Sequence, residues 1–134
     1  MSIKNFIDKS IIVDSSESVI QTTVNAQFTG AINVNSTLLF NKIGNLCLMT
    51  IPPVFGLSTG TGTTIVANNV IPSNFLPIDS FIIESVSMNA DHMLGGGNIN
   101  ISNNGTISIG TFSSIEAGQN IGFASNIGIP YICS

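Results

Sequence analysis

Asp91 and His92 stand side by side, and His92 is the only histidine in the 134-residue chain. Such a pair has the chemistry of a general base or of half a metal site. Catalysis, however, needs a nucleophile, a base and an orienting group that converge. A metal site needs three or four ligands, and no other His or Cys lies near in sequence. A solvated loop pair is the plainer reading, so no enzymatic activity, metal or other cofactor is expected. One arrangement would change that: three copies of His92 meeting on a threefold axis could hold an ion. The Gly/Thr run "STGTGTT", 58–64, lacks the Gly-Lys-Ser/Thr end of a phosphate-binding loop. Glu84 is a lone carboxylate in an apolar run and does not make an acid–base pair. Tyr131 is the only tyrosine and tryptophan is absent, so a sugar would be held by Asn and Ser hydrogen bonds rather than by ring stacking. Cys47 and Cys133 could pair, but two cysteines do not settle it. Free, buried thiols are the preferred reading, since a free cysteine packs as a small hydrophobe.

The composition narrows the partners. Charged residues are 7% of the chain, against about 25% in an ordinary soluble protein. There is no Arg, and the lysines are Lys4, Lys9 and Lys42, leaving a formal net charge of -4. Nothing here would neutralise phosphates, which argues against nucleic acid as a partner. Asn, Ser, Thr and Gly must cover the surface. Part of the apolar remainder is expected to meet another subunit, because large apolar patches mark interaction sites. Membrane insertion is not expected: the longest uncharged reach, between Lys42 and Asp79, is broken by Pro52, Pro53, Gly56 and Pro72. The opening "MSIKNFIDKS" has no apolar core of the kind a secretion signal carries.

The elements that would position these residues are strands. From Ile20 to Phe28 the alternation is clean, with Ile20, Thr22, Val24, Ala26 and Phe28 on one face. Ile32, Val34, Leu38 and Phe40 resume it after Gly30. In "GNLCLMTIPP", 44–53, both faces are apolar: Leu46 and Leu48 on one, Cys47, Met49 and Ile51 on the other. That predicts a strand buried on both sides, its outer face against a neighbouring subunit. Residues 54–64 read as a loop, 71–77 as a proline-bounded crossover, 81–89 as a strand and 90–97 as a loop ending in three glycines. The stretch "NINISNNGTISIG", 98–110, reads as a hairpin. A three-residue loop, Asn103-Asn104-Gly105, sets Ile101 opposite Ile107 and Ile99 opposite Ile109, with Gly105 supplying the positive φ the bulge requires. "IGIPYICS" closes the chain as a strand. Eight or nine antiparallel strands joined by hairpins and long loops make an all-β sandwich of jelly-roll type.

The order of "STLLFNKIGNLCLMTIPPVFG", "NFLP", "SNNGTISIG" and a terminal "IPYICS" resembles the C-terminal head domain of viral and bacteriophage fibre proteins. The resemblance covers roughly residues 36–134. It implies a tumour-necrosis-factor-like jelly roll that forms a homotrimer and attaches a virion to a host surface. On it, Ile43-Gly44-Asn45 is the turn into the buried strand, Phe75-Leu76-Pro77 the crossover, Gly105-Thr106-Ile107 the start of the late hairpin and Pro130-Tyr131-Ile132 the last strand. Residues 1–35 become a tether or short β-rich neck and 36–134 the head. Recognition in such heads lies in variable loops.

On this resemblance the chain is expected to be a non-enzymatic viral structural protein, made in the host cytoplasm and displayed on the virion surface. Its N-terminus joins the capsid, and its loops 54–63, 90–97 and 112–120 bind a host-surface protein or glycan. Candidate receptor-binding residues are Ser58, Thr59, Thr61, Asp91, His92 and Asn120. Candidate trimer-interface residues are Cys47, Met49, Ile51 and Tyr131. The alternative is a minor capsid or cement protein with no receptor; a small hydrolase or lectin domain is the third reading.

Overall fold

The computed structural model describes residues 18–60, 62–90, 93–111, 117–123 and 125–133, with 85–90, 93–95 and 111 described by backbone alone. The described chain is all-β apart from one 3-10 turn, Ser73–Phe75. Ten strands run in chain order: β1 (Ile20–Gly30), β2 (Val34–Ile43), β3 (Leu46–Ile51), β4 (Val54–Leu57), β5 (Thr64–Ala67), β6 (Phe81–Ala90), β7 (Met93–Ile101), β8 (Ile107–Thr111), β9 (Asn120–Phe123) and β10 (Ile127–Ile132). They hydrogen-bond in the order β10-β3-β2-β1-β5-β8-β7-β6-β9-β4, and the ladders are antiparallel. The result is the expected β-sandwich.

One strand makes the corner between the two layers. β1 pairs with β2 from Ile20 to Phe28, then turns and pairs with β5 through Thr29 and Gly30. Gly30 has φ 123°, and a Cβ there would run into the carbonyl oxygen of Thr64. Only glycine lets the two backbones approach so closely at that φ. The first layer is therefore β10-β3-β2-β1 and the second β5-β8-β7-β6-β9-β4. Phe28, Phe40 and Met49 from the first meet Ile65, Ile99, Ile101, Ile107 and Ile109 from the second in one buried cluster. The alternation read from the sequence is what fills it: even positions of β1 and β2 point inward, and Ala26, Phe28, Leu38 and Phe40 are fully buried.

The late hairpin has the anticipated register, with Ile101 opposite Ile107 and Ile99 opposite Ile109. Gly105 sits at φ 95°. Ser102 N donates to Thr106 O at 2.9 Å and Gly105 N to Ser102 O at 2.9 Å, closing the three-residue loop. The crossover is pinned to it, since Val70 N and Ile71 N both donate to Gly105 O. Phe75 plugs the core beside Phe40, ring centroids 5.5 Å apart.

Several expectations need correction. Residues 54–57 are a strand rather than loop, paired with β9. The three glycines 95–97 are strand too, paired with Met88, Ser87 and Val86. Glycine is a poor strand former, but here β6 supplies a ladder to all three, and β8 pairs with Gly97 on the other side. The expected division at 35/36 falls inside β2, and β1 pairs with β2 along most of its length, so residues 20–35 are part of the same sheet. The thiols are not free: Cys47 and Cys133 form a disulfide, 86 residues apart in sequence. Tyr131 pairs with Cys47 across β10 and β3, which carries Cys133 to the same end of the strand.

Candidate functional site

The expected interface residues lie on the wrong side of their strands. Cys47, Met49 and Ile51 are fully buried and Tyr131 is 7% exposed within a single chain. They are part of this chain's own core. Tyr131 also braces the fold. Its hydroxyl donates to Phe75 O at 2.7 Å, and its ring lies 5.8 Å from that of Phe81. Burial pushes its phenol up to about 12, because the interior disfavours the phenolate. With Lys42 Nζ, which donates to Asn74 O at 2.7 Å, it ties the crossover across the mouth of the sandwich.

The open face is the opposite one. Leu46 is 53% exposed, Leu48 42% and Ile132 50%. In register, Ile132 faces Leu46, Pro130 faces Leu48, and Ile43 flanks Leu46 on the other side. The strand read as doubly buried is thus filled on its inner face and, among the described residues, exposed on its outer one. The alternation of 44–53 carried that signal, but not which apolar face the chain itself would cover. A groove of about 300 Å³ runs along this surface between Val19, Asn41, Lys42, Ile43, Leu46 and Leu48.

Three of the six proposed receptor contacts come together at one end of the molecule. β4 ends beside the start of β9, with Leu57 opposite Asn120. Ser58 N donates to Gln119 O at 2.7 Å, and Gly118 N donates to Ser58 O at 3.1 Å. Thr59 N donates to Ala31 O at 2.8 Å, and Thr59 Oγ1 donates to Gly30 O at 2.9 Å. The 58–60 segment is therefore threaded between the 117–120 turn and the β1 corner. Ser58 is buried and its Oγ accepts from Gly60 N at 3.0 Å, so it holds the loop. Thr59 is exposed and Asn120 half-buried, and these two reach the surface. Thr61, Asp91 and His92 lie outside the described residues, as does the 112–116 part of the third loop. Nearby on the first layer, Gln27, Asn33, Val34 and Asn35 line a second groove of about 170 Å³. Sequence reading did not single out these amides, although their period-two spacing around Val34 was visible.

Among the described residues no group of three or more His, Cys, Asp or Glu could hold a metal ion. No helix among them is long and apolar enough to cross a membrane. What the surface offers is hydroxyls, amides and a bare aliphatic face.

No protein-family model matches this sequence, and no curated protein matches it. Among solved structures, the chain is similar to the reovirus attachment protein sigma1, determined in complex with alpha-2,3-sialyllactose, with a TM-score of 0.52 at 13% identity. The match covers 87% of this chain and 66% of that one, so the chain spans just under two thirds of that structure's length. The likeness establishes a fold: an antiparallel β-sandwich of the kind found in a viral attachment protein.

Proposed function

We propose that this chain is the head of a virion attachment fibre. In this reading it is a non-enzymatic homotrimer on the virion surface, joined to the capsid through its N-terminal residues. It grips a host-surface protein or glycan through the loops at the Thr59–Asn120 end. The observation that carries the reading is the fold likeness to a viral attachment protein over 87% of the chain. The chemistry of the loop end supports it: exposed hydroxyls and amides are the donors and acceptors a sugar ring requires. The chain has no Arg, so a sialic-acid carboxylate would find no bidentate guanidinium partner. The reading therefore favours a neutral, hydroxyl-rich glycan or a protein surface.

The test compares labelled full-length chain on intact cells, on printed neutral and sialylated glycans, and on purified capsids. Binding to cells or neutral glycans that Thr59→Ala/Asn120→Ala weakens supports the reading. A second reading, a capsid cement protein, is favoured by the bare Leu46–Leu48–Ile132 face, which could seat on a shell. Binding to capsids alone, insensitive to Thr59 and Asn120 but lost with Leu48→Asn, would establish that one instead.

A further inference from the structure

We infer that the outer face of the β3–β10 pair, built on Leu46, Leu48 and Ile132, is the surface through which one copy of this chain packs on another. The inference rests on the self-association in the proposed function, and gives it a location opposite to the one the sequence suggested.

Size is the first argument. Val19, Leu46, Leu48 and Ile132 are 61, 53, 42 and 50% exposed and share one face. With Ile43 and Pro130 they form an apolar patch on the order of 400 Å², in the range of the largest patches on monomers, which are often functional. That is about half of the ~800 Å² each partner buries in a standard interface, a fitting apolar centre for a polar rim. The adjoining groove of about 300 Å³ has room for an aliphatic side chain from a facing copy.

Charge is the second. The six residues of the patch carry none, and Lys42 at its margin donates to the Asn74 carbonyl. Among the described residues no carboxylate lines the adjoining groove, so two copies of a chain with net charge -4 can meet there without opposing negative charges. A charged partner would lose hydration there, with Lys42 at the margin as the nearest charge in the groove lining.

Geometry is the third. β10 ends the sheet order, so strand addition at its edge would be the competing mode. Cys133 N donates to Asn45 O on the β3 side, and alternation then turns the even residues' backbone groups toward the edge. Pro130 has no N–H to offer there, and the Ile132 carbonyl already accepts from Ile78 N at 3.1 Å. The donor row of this edge is interrupted, which disfavours strand addition at β10 and favours face-to-face sheet packing.

The test measures solution mass by light scattering over a wide concentration range for the full chain and for Leu46→Asn/Leu48→Asn. Both residues point outward, so the far-UV circular dichroism should be unchanged. The expected result is a multimeric parent and a variant whose self-association is weaker about tenfold or more. Ile132→Lys, on the neighbouring strand of the same face, gives the same readout should the double variant misfold. A folded variant that keeps the parent's mass overturns the location and leaves the self-association standing. A parent that stays a single chain at all concentrations overturns both. A monomeric parent whose melting temperature drops on Leu46→Asn/Leu48→Asn would show the face covered by the chain's own residues.

Discussion

Removing the Cys47–Cys133 disulfide should cost a large part of the fold's stability. The bridge closes a loop spanning 86 residues. In the chain-entropy treatment a loop of that length constrains the unfolded state by about 15 cal/mol/K, or about 4.6 kcal/mol at 25 °C. Domains of this size have about 5–15 kcal/mol in total, so the bridge is a third of it or more. Unfolding entropy of about 2.1 cal/mol/K per residue makes each kcal/mol worth about 3.6 °C in a chain this long, and the predicted loss is about 16 °C. The perturbation is Cys47→Ala/Cys133→Ala. Both sites are fully buried, and alanine leaves only small voids there. The assay is thermal melting of parent and variant, each with and without reductant, beside a thiol titration in denaturant. The parent should show no titratable thiol, and its melting temperature should fall with reductant; the variant should start low and ignore reductant. Two titratable thiols in the unreduced parent, or parent and variant melting together, would refute the reasoning.

Three further outcomes follow from single side chains. Tyr131 is held neutral by burial, with its phenol pushed up to about 12. Below pH 10 Tyr131 keeps its proton in both states and adds no pH dependence; from pH 10 to 12 the unfolded state ionises first, so stability falls, by up to roughly 3 kcal/mol. Urea titrations of parent and Tyr131→Phe across that window should show the extra fall in the parent alone; parallel curves would exclude it. Ser36 is 6% exposed and its Oγ finds no partner among the described residues. Ser36→Ala should therefore stabilise by about 1 kcal/mol, read as a higher urea midpoint at constant m, and a lower midpoint would mean the hydroxyl is satisfied. Gly105→Ala places a Cβ 3.1 Å from Ile71 O at φ 95°, and should cost about 1–3 kcal/mol in denaturant unfolding; a neutral result would mean the hairpin turn is not as described.

The parts legible in the sequence were those set by local periodicity. Isoleucines at every second position and one glycine fixed the register of the 98–110 hairpin. The even-numbered apolar residues of 20–40 gave the inward faces of β1 and β2. What escaped depends on contacts far apart in the chain. Cys133 meets Cys47 only because β10 pairs with β3, a choice that no residue near either cysteine announces. The glycines 95–97 read as loop because they have no side chains to alternate, and the strands beside them override that. In 44–53 the alternation showed two apolar faces, but Leu46 and Leu48 differ from Cys47 and Met49 only in which side the second layer covers. The proposed receptor residues divide on the same ground. Ser58 reads like Thr59 in sequence, yet it is turned inward to hold the loop, while Thr59 and Asn120 reach the surface.

The solution mass of the full-length chain tests the attachment-head account most directly. Light scattering coupled to size exclusion should give three times the 14.0 kDa chain mass. A single-chain mass, or a dimer that persists on concentration, would contradict it.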